Sequence, residues 1–399
     1  MLNTIRKAEY AELVILFLIQ GAAAAMWLVP LTTVLEAHGL AGIRAYAYAA
    51  MGLAAFISPL IFGAMADHEM SPIKVLRGLS AATAAAIAVV SGAIQLGWNQ
   101  WLVLALVQIY CLFASPLLSI SSTIIFSRLA DSQKEFGPMR GMYTLGWMIG
   151  CWIISALNAD RSTLAGYVGA ATWLIVAGFT YFLPPLETPK AVTRLTLRQR
   201  LGWDAIVLLK HPDHRVVFIV VGLVAIPMAS FYPYSPPHMR ELGLQHTSAW
   251  MTLGQVTELI WMFTLGYFLT RFRLKWIFLT GLIFTVLRFV FCALNTKLWL
   301  LAGIFLHGAS YAPVYATAQI YLDQRVDPSW RARAQALITL ANSGFGNLFG
   351  YLGVGAWFAY CGGQGGTRWP LFWSGMATIS AGVLVYFLAV YRGRMREQG

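Results

Sequence analysis

The chain is written as apolar runs of about 20 residues separated by short polar breaks, a pattern that recurs from one end to the other. Twelve runs are legible, at residues 10–36, 44–66, 73–96, 100–127, 138–158, 163–184, 214–237, 246–271, 274–294, 297–324, 331–360 and 368–391. Runs of this length, coiled as helices, cross a hydrocarbon layer of about 30 Å. Lipid offers no partner for backbone polar groups, so each run is expected to close its own hydrogen bonds as an α-helix. The pattern predicts an all-α membrane protein of twelve transmembrane helices. Its longest charged interruption, 187–215, lies between the sixth and seventh runs and holds Lys190, Arg194, Arg198, Arg200, Lys210 and Arg215. That gives two six-helix halves, 1–186 and 214–399, joined by a cytoplasmic linker at 187–213.

Composition agrees with this reading. The 399 residues are 58% hydrophobic and 11% charged, with a mean hydropathy of +0.65. A soluble domain is nearer 25% charged, so little material is left for one. The net charge of +12 raises the question of a nucleic-acid partner, and its distribution answers it. Of the 28 Lys and Arg, 22 fall on one side of the twelve-span topology, 5 on the other, and Arg288 lies inside the ninth run. Cytoplasmic loops carry such an excess, so both termini are expected in the cytoplasm and the basic charge reads as topology. The 15 Trp and 17 Tyr suit interfacial belts and a stacking cavity in a lipid bilayer. The four cysteines, Cys111, Cys151, Cys292 and Cys361, have no metal or disulfide spacing, and the first three lie within apolar runs as small core residues. Glu12 enters the first run and no short apolar region ends in a cleavage site, so no cleavable signal peptide is expected. The sequence holds no phosphate loop, metal-ligand cluster or nucleophile elbow, and its loops are short. Neither an enzyme nor a bound cofactor or metal is expected.

The candidate chemistry lies in the few polar residues inside the runs. Residues 251–270 read MTLGQVTELIWMFTLGYFLT, and Glu258 is the one charge among them. A carboxylate at the bilayer centre costs roughly 2.5–3.5 kcal/mol even on lenient insertion scales. It normally faces a polar cavity and can take up a proton to relieve its desolvation. Its other reading is a structural carboxylate paired with a basic group. Gln255 lies one turn earlier on the same face, and Trp261 and Met262 continue it. An amide, a carboxylate and an indole together suit a flat polar solute; Gln255 is also a plausible bridge between helices. In the fifth run Arg140, Thr144 and Trp147 follow at i, i+4 and i+7, with Pro138 suited to a first helical turn. Arg140 equally suits a topogenic charge at the interface.

The tenth run carries His307, Tyr311 and Tyr315 at spacings of four, with Pro313 between, which suggests a kink beside a cavity. A hydrogen-bonded structural histidine is the alternative for His307. The seventh run ends Phe231-Tyr232-Pro233-Tyr234-Ser235-Pro236-Pro237, where three prolines in five residues predict irregular backbone and an outer gate, or else an ordinary helix terminus. Gln20 and Trp27, seven apart in the first run, can face a cavity or pack. The glycine-rich Asn342-Ser343-Gly344-Phe345-Gly346-Asn347 reads as close helix packing, and Arg288 as a buried charge that neutralises an acid or carbonyl ends.

Gly63-Ala64-Met65-Ala66-Asp67, followed by Ser71, Lys74 and Arg77, resembles the signature between helices 2 and 3 of the major facilitator superfamily. The matching place in the second half, 266–275, keeps the glycine and basic residues without the acid. With the six-plus-six layout this implies the major facilitator fold, with Asp67 and Arg77 as conformational switch residues. Within it, the chain resembles the bacterial nucleoside:proton symporters along most of its length. The resemblance rests on Ala66-Asp67 with Ser71, the Arg140, Thr144 and Trp147 face, Gln255-x-x-Glu258, Leu287-Arg288-Phe289, and Arg331-x-x-Ala334-Gln335 leading to Asn342-x-Gly344-Phe345-Gly346. It implies that Arg140, Thr144, Gln255 and Glu258 line a nucleoside site. The two aromatic positions on the tenth helix are held by His307 and Tyr311. The amides that read the base on the seventh helix are replaced by Ala229, Ser230, Phe231 and Tyr232, and Tyr232 can recognise a ring by stacking and its hydroxyl.

The resulting expectation is import of a nucleoside with a proton by alternating access, in the bacterial cytoplasmic (inner) membrane, by a monomer. Glu258 is the proton carrier or the carboxylate that bonds ribose. Gln255 and Arg140 give hydrogen bonds, Trp147, Trp261 and Tyr311 a stacking surface, and Thr144, His307, Tyr232 and Gln20 further contacts. Two other readings share these residues: a proton-coupled sugar or glycoside symporter, and a membrane receptor that binds solute without moving it.

Overall fold

In the computed structural model, which describes residues 7–68, 70–129, 132–184, 203–363 and 366–392, each apolar run coincides with one helix or with two in series. The first gives α1 (Lys7–Leu28) and α2 (Leu31–Ala37), and the second α3 (Arg44–His68). Then come α4 (Pro72–Gln95), α5 (Gln100–Ala114), α6 (Leu117–Phe126), α7 (Ser132–Ala156) and α8 (Leu164–Phe179). A 3-10 segment at Trp203–Lys210 precedes α9 (Pro212–Met228), α10 (Phe231–Glu241), α11 (Thr247–Met251) and α12 (Leu253–Arg271). α13 (Leu274–Ala293), α14 (Lys297–Arg325) and α15 (Pro328–Thr339) follow. A π-helical stretch, Leu340–Gly346, leads into α16 (Asn347–Cys361). A small antiparallel pair, β1 (Gly362–Gly363) and β2 (Gly366–Thr367), then precedes α17 (Trp369–Val390). Among the described residues, seven stretches are long and apolar enough to cross a membrane by length and composition alone, including Tyr10–Ala37, Pro212–Glu241 and Lys297–Arg325.

Proline explains most of the divided runs, because it lacks the amide donor for the carbonyl four residues back. Pro30 separates α1 from α2 and Pro116 separates α5 from α6. The carbonyl that Pro116 cannot serve, Leu112, accepts a hydrogen bond from the Ser58 hydroxyl of α3 at 2.8 Å. The seventh run departs from expectation. Residues 231–237 are helical despite three prolines, and the break lies at Ala229–Ser230. For Pro233 the reason is positional, since it falls in the first turn of α10, where amides have no acceptor and a fixed φ is favourable; Pro236 and Pro237 lie inside the helix. The missing donor of Pro233 is felt at Ala229, four residues earlier. The expected place of Pro138 is also corrected. α7 begins at Ser132, so this proline lies inside the helix and not in its first turn. α14 runs unbroken through Pro313.

The chain forms two compact units, Met1–Arg194 with Gln245–Thr252, and Leu195–Leu244 with Leu253–Gly399. In unit 1, α1 packs on α7 and α8, and α4 on α5 and α8. Glycine makes the α1–α7 approach possible. A Cβ on Gly146 would strike the Leu18 carbonyl, and one on Gly150 would meet the Ala22 backbone. In unit 2, α13 and α14 pack together, with α17 against α13 and α12 against α14. Val217, Val221, Phe278, Leu282, Tyr321 and Phe387 fill the core beneath them. The glycine-rich stretch packs closely, as its sequence suggests: Cβ atoms on Gly346 and Gly350 would meet Ala225 and Ala229 of the seventh run. Large apolar side chains such as Leu174, Ile175, Phe263 and Val385 lie exposed on the helix surfaces, as lipid contact requires.

Candidate functional site

In unit 2 the polar site is built where α12 crosses α14. Gly308 of α14 lies directly on the backbone of Thr257 and Glu258, leaving no room for a Cβ. Gly254 meets the Cβ of His307 in the same way. The Thr257 side chain locks the crossing: it accepts the Gly308 amide at 3.1 Å and turns its hydroxyl to the Phe305 carbonyl. This contact sets Glu258 and His307 at one level, although 49 positions separate their numbers in the chain. Glu258 and Gln255 are both buried, at 8% and 3% exposure.

The Gln255 amide nitrogen donates to the Tyr232 hydroxyl at 3.4 Å, a long bond. Its carbonyl oxygen Oε1 is enclosed and has no hydrogen-bond partner among the described residues. Buried polar atoms are nearly always paired, so such an atom is a place for a donor from elsewhere. His307 stacks on Phe231 with centroids 3.9 Å apart and planes 7° apart. Tyr311 lies nearly parallel on α14, 5.8 Å from His307. Arg288 of α13, fully buried, donates from Nη1 to His307 Nδ1 at 2.7 Å, and its guanidinium lies over Phe231 and Phe289. The charge expected to neutralise an acid or carbonyl ends is therefore seated on a histidine and two aromatic faces. Trp261 packs on Phe268, 5.0 Å between centroids.

Unit 1 carries a second set of polar residues along the α1–α7 contact. Gly21 of α1, next to Gln20 in the chain, abuts the Tyr143 carbonyl and the Trp147 amide nitrogen of α7. Gln20 and Thr144 are buried. Gln20 Oε1 and Arg140 Nη1 are enclosed without hydrogen-bond partners among the described residues. Arg140 also lies over the Tyr143 ring at 4.7 Å, and Tyr143 neighbours Trp147 at 6.3 Å. Trp27 belongs to the packing, fully buried beside Gly166 and Tyr110.

The switch residues are placed unequally. Asp67 lies in the last turn of α3, and its side chain is outside the described residues. Arg77 of α4 caps the end of α8: Nε donates to Thr180 Oγ1 at 2.8 Å, Nη2 to the Thr180 carbonyl at 3.3 Å, and the guanidinium lies on Tyr181. A cation there complements the negative end of the helix.

Sequence reasoning missed a further polar cluster in unit 1. Asp160 accepts the Ser248 amide at 2.7 Å and the Ser155 hydroxyl at 3.2 Å. Ser155 in turn accepts the Ala249 amide on its hydroxyl and His246 Nδ1 on its carbonyl. The short α11 is thereby pinned to the end of α7. An acid in the loop between α7 and α8 gave no signal, since loops are ordinarily polar.

A model of the family described as "Nucleoside H+ symporter" matches residues 8–396. The chain is 32% identical to the "Putative nucleoside transporter YegT" of Escherichia coli (strain K12) over 382 residues, covering 91% of this chain and 88% of that one. It is 25% identical to the "Nucleoside permease NupG" of the same organism, over 86% of each chain. A crystal structure of the nucleoside transporter NupG (D323A mutant) superposes with a TM-score of 0.87 at 23% identity, covering 96% of this chain and 100% of that one, which shows a shared fold.

Proposed function

Because the chain belongs to the nucleoside H+ symporter family, we propose that Glu258 is its coupling residue, taking up a proton and bonding the ribose of a nucleoside. The protein is a membrane-spanning secondary transporter that moves nucleosides with protons. The observation that carries it is the enclosed, unpartnered Oε1 of Gln255 one turn from Glu258 on a glycine-fixed helix crossing. A solute hydroxyl or amide donor satisfies that oxygen, while the carboxylate alternates between a proton and the ribose hydroxyls. Tyr232, His307 and Tyr311 supply the aromatic surface of unit 2. In unit 1 Arg140, Thr144, Trp147 and Gln20 are the solute contacts, and Gln20 Oε1 and Arg140 Nη1 again await partners. Trp261 is the weakest member of the set, since its neighbour is Phe268. The charge pattern supports both termini in the cytoplasm, and family membership supports a monomer in the bacterial inner membrane.

The test is uptake of radiolabelled uridine and adenosine into proteoliposomes with and without an inward proton gradient. Wild type accumulates substrate with the gradient. Glu258→Gln is expected to lose accumulation while still exchanging labelled for unlabelled nucleoside. Gradient-driven accumulation by Glu258→Gln would remove Glu258 from the coupling role.

A further inference from the structure

We propose that His307 is a fixed hydrogen-bond donor to the nucleobase, its ring proton held on Nε2 by Arg288, and that the protein selects bases presenting an acceptor to it. This rests on the nucleoside reading above and deepens it.

A guanidinium has five donors and no acceptor. Arg288 Nη1 lies 2.7 Å from His307 Nδ1, so Nδ1 must offer its lone pair. The neutral ring has one proton, and it is then on Nε2. An imidazolium donates from both nitrogens and cannot keep this contact. Orientation is fixed as firmly as the tautomer. Phe231 covers one ring face at 3.9 Å, and Gly254 closes on the Cβ. Ser310 donates to the His307 carbonyl at 2.7 Å and receives Arg288 Nη1 at 3.4 Å. Arg288 itself is held over Phe231 and Phe289 at 4.7 and 4.9 Å. Among the described residues Nε2 makes no hydrogen bond, and it is not one of the enclosed orphan atoms.

The site thus offers two groups of opposite and unequal flexibility. Ionised Glu258 only accepts, which suits the hydroxyl donors of a ribose. His307 only donates through Nε2, which suits the ring nitrogens and carbonyl oxygens on a base edge. Gly308 places both on one crossing. Arg288 is then a positioning residue: it touches no solute and acts through the histidine. The role is legible only with α13 and α14 together, because Arg288 and His307 lie on different helices.

The experiment is equilibrium binding to the full-length protein in detergent. It compares adenosine with its 1-, 3- and 7-deaza analogues, and uridine with the analogue lacking the 4-oxygen. Wild type is expected to bind at least one acceptor-deleted analogue about tenfold more weakly than its parent, the worth of one hydrogen bond. His307→Phe is expected to bind parent and analogue alike. Arg288→Met is expected to shrink the ratio, and Arg288→Lys, another pure donor, to restore it. Equal wild-type affinity for each parent and all of its analogues overturns the inference and leaves the nucleoside reading standing; this arm needs no variant to fold. An unchanged ratio in His307→Phe also overturns it. Failure of wild type to bind any nucleoside overturns the nucleoside reading itself, and the inference with it.

Discussion

Gly308→Ala is the sharpest test of how the unit 2 site is held. The added methyl would meet Glu258 N, Glu258 Cα and Thr257 C, which are all backbone atoms. None can swing aside as a side-chain tip would. Restoring an ordinary carbon contact of about 3.5–4 Å requires α12 and α14 to part by on the order of an ångström. Overpacking of this kind costs about 1–3 kcal/mol, and the better helix propensity of alanine returns about 1 kcal/mol. A net loss of about 1 kcal/mol corresponds to a Tm lower by roughly 2–4 °C for a unit of this size. The same displacement carries Glu258 away from His307, and a misplacement of about 1 Å can cost on the order of 100-fold in a positioned site. Thermal unfolding in detergent and the KM of uptake read the two effects. Gly266→Ala, with nothing within 4 Å of the new Cβ, is the control and is expected to hold or raise Tm. If Gly308→Ala matched that control in both Tm and KM, the close crossing and the placement of Glu258 argued from it would be wrong.

Two further expectations follow from hydrogen bonds outside the site. Ser58→Ala removes the donor to the Leu112 carbonyl and is expected to cost about 1 kcal/mol by thermal unfolding; in a Pro116→Ala background, where the amide of residue 116 can serve that carbonyl, the cost should largely vanish, and additive losses would refute the link. Asp160→Ala strands the Ser248 amide and is expected to raise hydrogen exchange at Ser248 and Ala249 with α12 still protected; unchanged exchange there would show that Asp160 does not hold α11.

Much of the fold was legible because hydrophobic runs and basic residues obey different rules that agree. Run length marks helices and Lys and Arg mark a side, so an error in one would have scrambled the other. The helix breaks were harder. Pro30 and Pro116 divide their runs where they stand, but Pro233 acts on Ala229, four residues upstream, and the helix resumes before the proline is reached. Glu258 stood out because a lone charge in an apolar run is costly wherever it points. Arg288 stood out for the same reason, but its partner did not. That His307 receives it depends on how α13 meets α14, and no spacing along the chain encodes that. Asp160 gave no warning, since its value lies in reaching Ser248 from 88 positions away.

The π-helical stretch at Leu340–Gly346 has a consequence for anyone mapping the eleventh span one residue at a time. Such a stretch takes up about one residue more than an α-helix of the same rise, so the azimuth of every later side chain slips by roughly 100°. A cysteine scan read on a single helical wheel through α15 and α16 would place wet and lipid-facing positions on contradictory sides. Two wheels, rephased at the stretch, should each give one coherent stripe. Deleting one residue between Leu340 and Gly346 would bring the wheels into phase and turn Gly346 and Gly350 away from Ala225 and Ala229.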